Sequence, residues 1–334
     1  MLRSSSRQHW LGKRPAFLAL LLPSLGLLGF SLFLAAGHSP VSLNAQTKIA
    51  VSADLVLLPV KVSDAHGAFV PGLKQEDFQV FEDGQPQKLT VFESRDTPVT
   101  VGLVVDHSRS MGSKLQDVVV AVSYFTHSSN PQDEMFVVDF NDDVTIELMK
   151  GKAFSNDVKD LEEALRAVSA RGQTALYDAV SEGLHHLQYG HFDKKALVII
   201  SDGGDNASHM KYSQVLAQAR QAQAQIYSIG LVGFLDGEEN PGLLRRLCKD
   251  TGGIAYFPRA GESTGSVSKE IARDLREQYT LGYTPQNLKS AGAFRKVEVR
   301  VNAAGRGKLH VRTRQGYTPT VEKQPTAQLE PAAK

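Results

Sequence analysis

The chain has 334 residues, enough for two domains, and its 42% hydrophobic and 22% charged residues are ordinary values for a globular protein with a sizeable core. Its 37 lysines and arginines against 36 acidic residues leave a net charge of +1. That balance argues against a nucleic-acid partner, which needs a basic face, and no block of like charge offers an interaction tail. Cys248 is the single cysteine, so an intramolecular disulfide and a multi-cysteine metal site are both excluded.

Arg3, Arg7, Lys13 and Arg14 precede an uncharged, Leu- and Phe-rich stretch from Pro15 to Gly37. A basic head followed by an apolar run reads as an export signal over 1–45, with cleavage points after Gly37 or Ala45. The run also approaches the roughly 20 residues that span a bilayer, so an uncleaved anchor is the alternative. Both readings place the bulk of the chain outside the cytoplasm, in periplasm, cell envelope or medium, with membrane contact only through that anchor. No cysteine follows the run to carry a lipid.

Residues 50–96 read as β. "VLLPVKV" puts Val56, Leu58, Val60 and Val62 on one face, and "FQVFEDGQPQKLTVFES" shows strands joined by a turn at Asp83-Gly84. Over 97–278 the pattern becomes strand–helix alternation. "TVGLVVD", "EMFVVDFN" and "KKALVIISD" are apolar runs expected of strands buried on both faces. "VTIELM" should pair with "EMFVVDFN" through Asn141, Asp142 and Asp143. Helices are expected with Val118, Val119, Val122 and Phe125 facing the sheet, with Leu161, Leu165 and Val168 on one stripe, and over "TALYDAVSEGLHHLQYG", "YSQVLAQARQAQAQ", "PGLLRRLCKDTGG" and "SVSKEIARDLREQ". Residues 279–317 return to β, with "FRKVEVRVN" and "KLHVRTRQGY" joined around Ala304 to Gly307, and the Pro- and Ala-rich 318–334 reads as a disordered tail.

The fold class follows. It is an α/β, doubly wound, mainly parallel sheet of Rossmann-like type. Three strands on each side are near the limit for burying an apolar face alone, so the two β segments should form one small sandwich that flanks the sheet or receives it as an insertion.

In such a sheet ligands bind beyond the carboxyl ends of the strands. Asp106, Ser108 and Ser110 follow "LVV", Thr174 stands before a helix, and Asp202 follows "LVIIS". All five offer oxygen and none offers sulfur or imidazole, a donor set for a hard cation such as Mg²⁺. The spacing Asp-x-Ser-x-Ser, then Thr, then Asp at a later strand end resembles the metal-ion-dependent adhesion site of the von Willebrand factor type A (VWA) fold, over roughly Pro98 to Gln278. "TALYDAV" and "ISDGGDN" resemble the bacterial exported branch of that family. The resemblance implies that Ser108 and Ser110 ligate Mg²⁺ (or Mn²⁺ or Ca²⁺) through their hydroxyls. Thr174 would join directly or through water, as would Asp106 and Asp202. It also implies a non-enzymatic module whose open metal position captures an acidic side chain of a protein partner. His107 and Arg109 depart from the small residues often found between these ligands and are expected at the rim.

Each residue also has a plain structural reading. Ser110 or Ser113 can cap the helix that follows, Thr174 the next, and Asp202-Gly203-Gly204 can be an ordinary turn. A haloacid dehalogenase-like phosphotransferase also places an Asp after its first apolar strand, but it needs a second Asp where Ser108 stands. A degenerate, metal-independent VWA scaffold is the third reading. Asp106-His107-Ser108 cannot converge as a triad. His185, His186 and His191 read as surface residues, Asp139, Asp142 and Asp143 as turn-shaping residues, "GFLDGEENPG" as a solvated loop, and Cys248 as a buried thiol.

Overall fold

The computed structural model describes residues 55–148, 151–166, 169–232, 239–259, 261–285 and 292–319. The expected export signal, Val168 and the tail beyond 319 lie outside these residues. The chain runs through strands β1 (Val56–Ser63), β2 (Phe78–Glu82), β3 (Gln85–Gln87), β4 (Leu89–Glu93) and β5 (Val99–Asp106), then α1 (Leu115–Ser128), β6 (Glu134–Phe140) and β7 (Val144–Glu147). Helices α2 (Val158–Arg166) and α3 (Leu176–His186) precede β8 (Lys194–Ser201), α4 (Tyr212–Ala222), β9 (Gln225–Gly230), α5 (Pro241–Thr251), β10 (Ala255–Tyr256) and α6 (Thr264–Arg276). The last strands are β11 (Tyr279–Tyr283), β12 (Arg295–Val301), β13 (His310–Arg312) and β14 (Gly316–Tyr317).

The apolar runs form a six-stranded sheet in the order β10-β9-β8-β5-β6-β7, parallel except for β7. Alternation along its buried strands feeds two cores. Val101, Leu103 and Val105 pack with Val118, Val122 and Phe125 of α1, Leu161 and Leu165 of α2, and Ile271 of α6. Val104, Leu197 and Ile199 pack on the opposite face with Leu176 and Val180 of α3, Val215 of α4, and Leu244 and Leu247 of α5. Val119 turns partly away and is half-buried. Helix α4 stops at Ala222, shorter than its pattern predicts, because Gln223 takes a left-handed conformation at φ 55° and the chain returns at once to β9.

The flanking segments interleave. One four-stranded sheet runs β13-β1-β11-β4 and the other β14-β12-β2-β3, so each draws strands from both ends of the chain. Val56, Leu58, Val60 and Val62 of β1 face Phe78, Val80, Val297 and Val299 of the other sheet in one core. The Asp83-Gly84 turn joins β2 to β3 with φ of 49° and 81°, the positive angles a two-residue hairpin needs. Strands β12 and β13, joined around Ala304 to Gly307, do not pair with each other. Their connection crosses from one sheet to the other, and β13 pairs with β1 instead.

Glu82 locks the two halves. Its carboxylate is 3% exposed, accepts from the Tyr283 and Tyr317 hydroxyls at 2.8 Å each, and pairs with Arg295 at 3.1 Å. Removing one member of a buried ion pair strands the other and costs about 3–5 kcal/mol. Glu82→Ala should therefore lower the unfolding free energy by that order and Glu82→Gln by less, measured by chemical unfolding followed by circular dichroism.

Candidate functional site

Strand β5 lies between β6 and β8. The chain leaves β5 through α1 to β6 on one side, and later supplies β8 on the other. That reversal opens a crevice beyond the carboxyl ends of β5 and β8, where ligands of doubly wound sheets bind. Asp106 ends β5, and Asp202 follows Ser201 at the end of β8. Asp106 is fully buried, its Oδ1 accepting from the Ser108 N–H at 2.8 Å and its Oδ2 from the Ser201 hydroxyl at 2.6 Å. Burial, with a contribution from the neighbouring Asp202 carboxylate, pushes Asp106 up to about 6 against the pull of these hydrogen bonds. Asp202 is 2% exposed and its Oδ1 accepts from the Gly204 N–H at 3.1 Å. No described residue donates a hydrogen bond to its Oδ2, which lies 3.5 Å from Lys114 Nζ.

Backbone hydrogen bonds stitch three loops around this pair. The Arg171 N–H donates to the His107 carbonyl at 2.9 Å and the Arg109 N–H to the Gly172 carbonyl at 3.3 Å. Thr174, 4% exposed, donates its N–H to Asn206 Oδ1 at 2.8 Å, and its carbonyl accepts from the Asn206 and Ala207 N–H groups. Ser108 is buried and shares a 3.2 Å hydroxyl hydrogen bond with half-buried Ser110. Gly203 sits at φ 86°, and a Cβ there would meet the Asn240 carbonyl at 2.6 Å, so glycine lets the loop after β8 pack against the start of α5. All five predicted residues thus lie at a strand end or on loops that meet at one end of the sheet.

The plain structural readings account for little of this. Helix α1 is preceded by Lys114 and has no side-chain cap, so neither Ser110 nor Ser113 serves it. Ser108 does not cap the short 3₁₀ turn Arg109–Met111. The first N–H groups of α3 are satisfied from another loop: Tyr177 donates to Asp205 Oδ1 and Ser208 Oγ, and Asp178 to Ser208 Oγ, at 3.0–3.2 Å. The hydroxyls of Ser110 and Thr174 are therefore spared from capping. The turn reading of Asp202 holds for Oδ1 alone. Among the described residues no three His, Cys, Asp or Glu side chains group as metal ligands, so a cation in this crevice would depend on hydroxyl oxygen.

Some neighbours differ from expectation. His107 is 2% exposed rather than at the rim, because its Nδ1 pairs with the buried Asp139 carboxylate beneath the loop. Asp139 consequently orients His107 and leaves the turn to others. Asn141 Oδ1 accepts from the Asp143 N–H at 2.9 Å, and Asp142 accepts from the Gln173 N–H. Arg109 is exposed at the rim. His186 packs on Phe136 and His191 pairs with Glu134, roles in packing and surface structure. Cys248 is buried, and that burial pushes its thiol up to about 12. Of the loop read as solvated, Glu239 is turned inward at 9% side-chain exposure, and residues 233–238 lie outside the described set. Ser201, Lys114 and Glu239 carried no sequence signal beyond proximity to the motifs.

Residues 100–270, just over half of the chain, match the von Willebrand factor type A domain. The chain belongs to this family. The matched span runs from β5 into α6 and contains the whole crevice, so the type A domain is the central sheet with its two helix layers. No curated protein matched the sequence. Solved structures of similar fold include BatB from Bacteroides thetaiotaomicron, at 18% identity, 53% of this chain, 97% of that chain and TM-score 0.43. A von Willebrand factor type A protein from Catenulispora acidiphila matches at 13% identity, 74% of each chain and TM-score 0.47. The vWF domain of the type V pili tip protein Mfa5 from Porphyromonas gingivalis matches at 13% identity, 53% of this chain, 95% of that chain and TM-score 0.43.

The type A crevice carries a stability cost. A carboxyl raised on folding binds its proton more tightly in the native state, so native stability falls as pH rises from about 4 to about 6. Asp106→Asn keeps the shape without the charge, its oxygen still accepting from the Ser108 N–H while its NH2 donates to the Ser201 hydroxyl, which must turn to receive it. It should raise the melting temperature at pH 8 in chelator by an amount corresponding to at most about 3 kcal/mol. The gain should shrink to nothing near pH 4, as followed by differential scanning calorimetry.

Proposed function

We propose that the protein is an exported, non-enzymatic protein-binding module, and that its type A crevice holds Mg²⁺, or Mn²⁺ or Ca²⁺, to capture an acidic side chain of a partner. The observation that carries the reading is the set of oxygens left over by the fold: the Ser110 and Thr174 hydroxyls unspent on helix caps, and Asp202 Oδ2 buried without a hydrogen-bond donor among the described residues. A buried carboxylate oxygen in that condition is costly unless a cation faces it, and a metal would do so alongside the Lys114 ammonium 3.5 Å away. Ser108 and Ser110 would ligate through their hydroxyls, and Thr174, Asp106 and Asp202 directly or through water. When bound, the metal supplies an open coordination position that attracts a carboxylate oxygen. The protein orients the hydroxyls, holds Asp106 through Ser108 and Ser201, and shields the site by burial.

Export rests on the basic head and apolar run of the first 45 residues. Among the described residues no helix is long and apolar enough to cross a membrane. A binding role is favoured over phosphoryl transfer because the position two residues beyond Asp106 is Ser108, which cannot serve as the carboxylic acid or base of a phosphotransferase.

Calorimetry should detect Mg²⁺ or Mn²⁺ binding to the purified chain and its loss in the double variant Ser108→Ala, Ser110→Ala, with circular dichroism unchanged. Equal affinity in the double variant would overturn the site. A parallel assay on phosphomonoesters should show no turnover, and turnover abolished by Asp106→Asn would establish the phosphotransferase instead.

A further inference from the structure

We infer that Lys114 is a tethered counter-cation that competes with the divalent ion for Asp202 and makes way for it by settling on Glu239, so that it sets the metal affinity of the site. This rests on the metal reading above and extends it to two residues outside the adhesion motif.

Lys114 stands four residues beyond Ser110, at the start of α1. Its Nζ lies 3.5 Å from Asp202 Oδ2 and 3.5 Å from Glu239 Oε1. The three side chains are 13%, 2% and 9% exposed, so two nearly buried carboxylates share one ammonium. The two contacts differ in kind. The ammonium donates a hydrogen bond to Glu239, whereas Asp202 Oδ2 receives none from any described residue. Lys114 thus reaches both carboxylates at the same distance, donating to Glu239 and acting on Asp202 through charge. Without metal, it supplies the positive neighbour that a buried carboxylate requires. A divalent ion reaching Asp202 meets that ammonium, and like charges at such short range in a partly desolvated crevice repel strongly. Lysine is suited to yielding, because its compact charge rides on a flexible four-carbon stem. Glu239 gives it a second carboxylate that the metal does not need. An ordinary structural salt bridge predicts only lost stability when broken, whereas a competitor predicts tighter metal binding when removed.

The test is Mg²⁺ titration by calorimetry of the wild type, Lys114→Gln, Glu239→Gln and Asp202→Asn, with melting temperatures measured in chelator and in Mg²⁺. Lys114→Gln should bind Mg²⁺ about tenfold more tightly, an order set by removing one adjacent like charge. Glu239→Gln should bind more weakly, because the ammonium then loses a carboxylate that draws it away from Asp202. In chelator Lys114→Gln should melt below the wild type, and Mg²⁺ should raise its melting temperature by more than it raises the wild type's. Binding in Lys114→Gln alone, with none in the wild type, would also support competition. If Asp202→Asn loses binding while Lys114→Gln binds no more tightly than the wild type, the competitor role is overturned and the metal site stands. If neither the wild type nor Lys114→Gln binds, or if Asp202→Asn binds normally, the metal reading falls and this inference with it. Lys114→Met, which removes the polar head, serves as the second variant should Lys114→Gln fail to fold.

Discussion

A carboxylate buried at the end of a central parallel strand organises the rest of the crevice. Asp106 sits where the strand order reverses, between β8 and β6, and its two oxygens are occupied by the Ser108 N–H and the Ser201 hydroxyl. Those bonds fix the path of the loop that carries Ser108 and Ser110, and they bind the end of β5 to the end of β8. A second carboxylate, Asp202, is then brought close enough to raise Asp106 further. Two acids in a crevice of this kind are unfavourable for folding, a pattern common at functional sites, where groups are held in states the fold alone would avoid.

The loops are secured by backbone groups and by side chains that contribute no motif. Asp205 and Ser208 cap α3 from the loop after β8, Asn206 holds the backbone of Thr174, and Asp139 grips His107 from below. The Thr174 hydroxyl is spared from capping α3 as a result. A supporting layer of this type is what preorganisation requires, because donors already committed to the fold cannot reorganise around a ligand without loss.

The sandwich and the central sheet are joined through α6. Asp274 accepts from the Tyr227 hydroxyl of β9 at 2.8 Å, pairs with Arg312 of β13 at 2.5 Å, and lies 3.5 Å from Lys61 of β1. Lys61 in turn reaches Glu277 at 2.8 Å, just past the end of α6. The helix that closes the type A domain is therefore held by strands from both ends of the chain. The sandwich needs both ends as well, since β1 pairs with β11 and β13, and β2 with β12.

Local pattern determined much of this protein. Continuous apolar runs marked β5, β6 and β8, alternation marked the inward face of β1, and Asp83-Gly84 marked the hairpin of β2 and β3, because side-chain period and turn chemistry are properties of neighbouring residues. The alternation Asp106, Ser108, Ser110, with Thr174 and Asp202 at later loop positions, was equally legible. Each follows or precedes an element whose end could be read. Tertiary structure decided the rest. Whether β12 pairs with β13 or with β2 depends on which sheet offers an apolar face, a contact between residues some 200 positions apart. Whether Thr174 caps α3 depends on whether a distant loop has already supplied the cap. His107 looked like a rim residue until Asp139 drew it inward, Glu239 belonged to a loop read as solvated, and Lys114 carried no signal of its own. Burial and charge pairing arise only when separate loops converge, and no pattern within one stretch of sequence records that convergence.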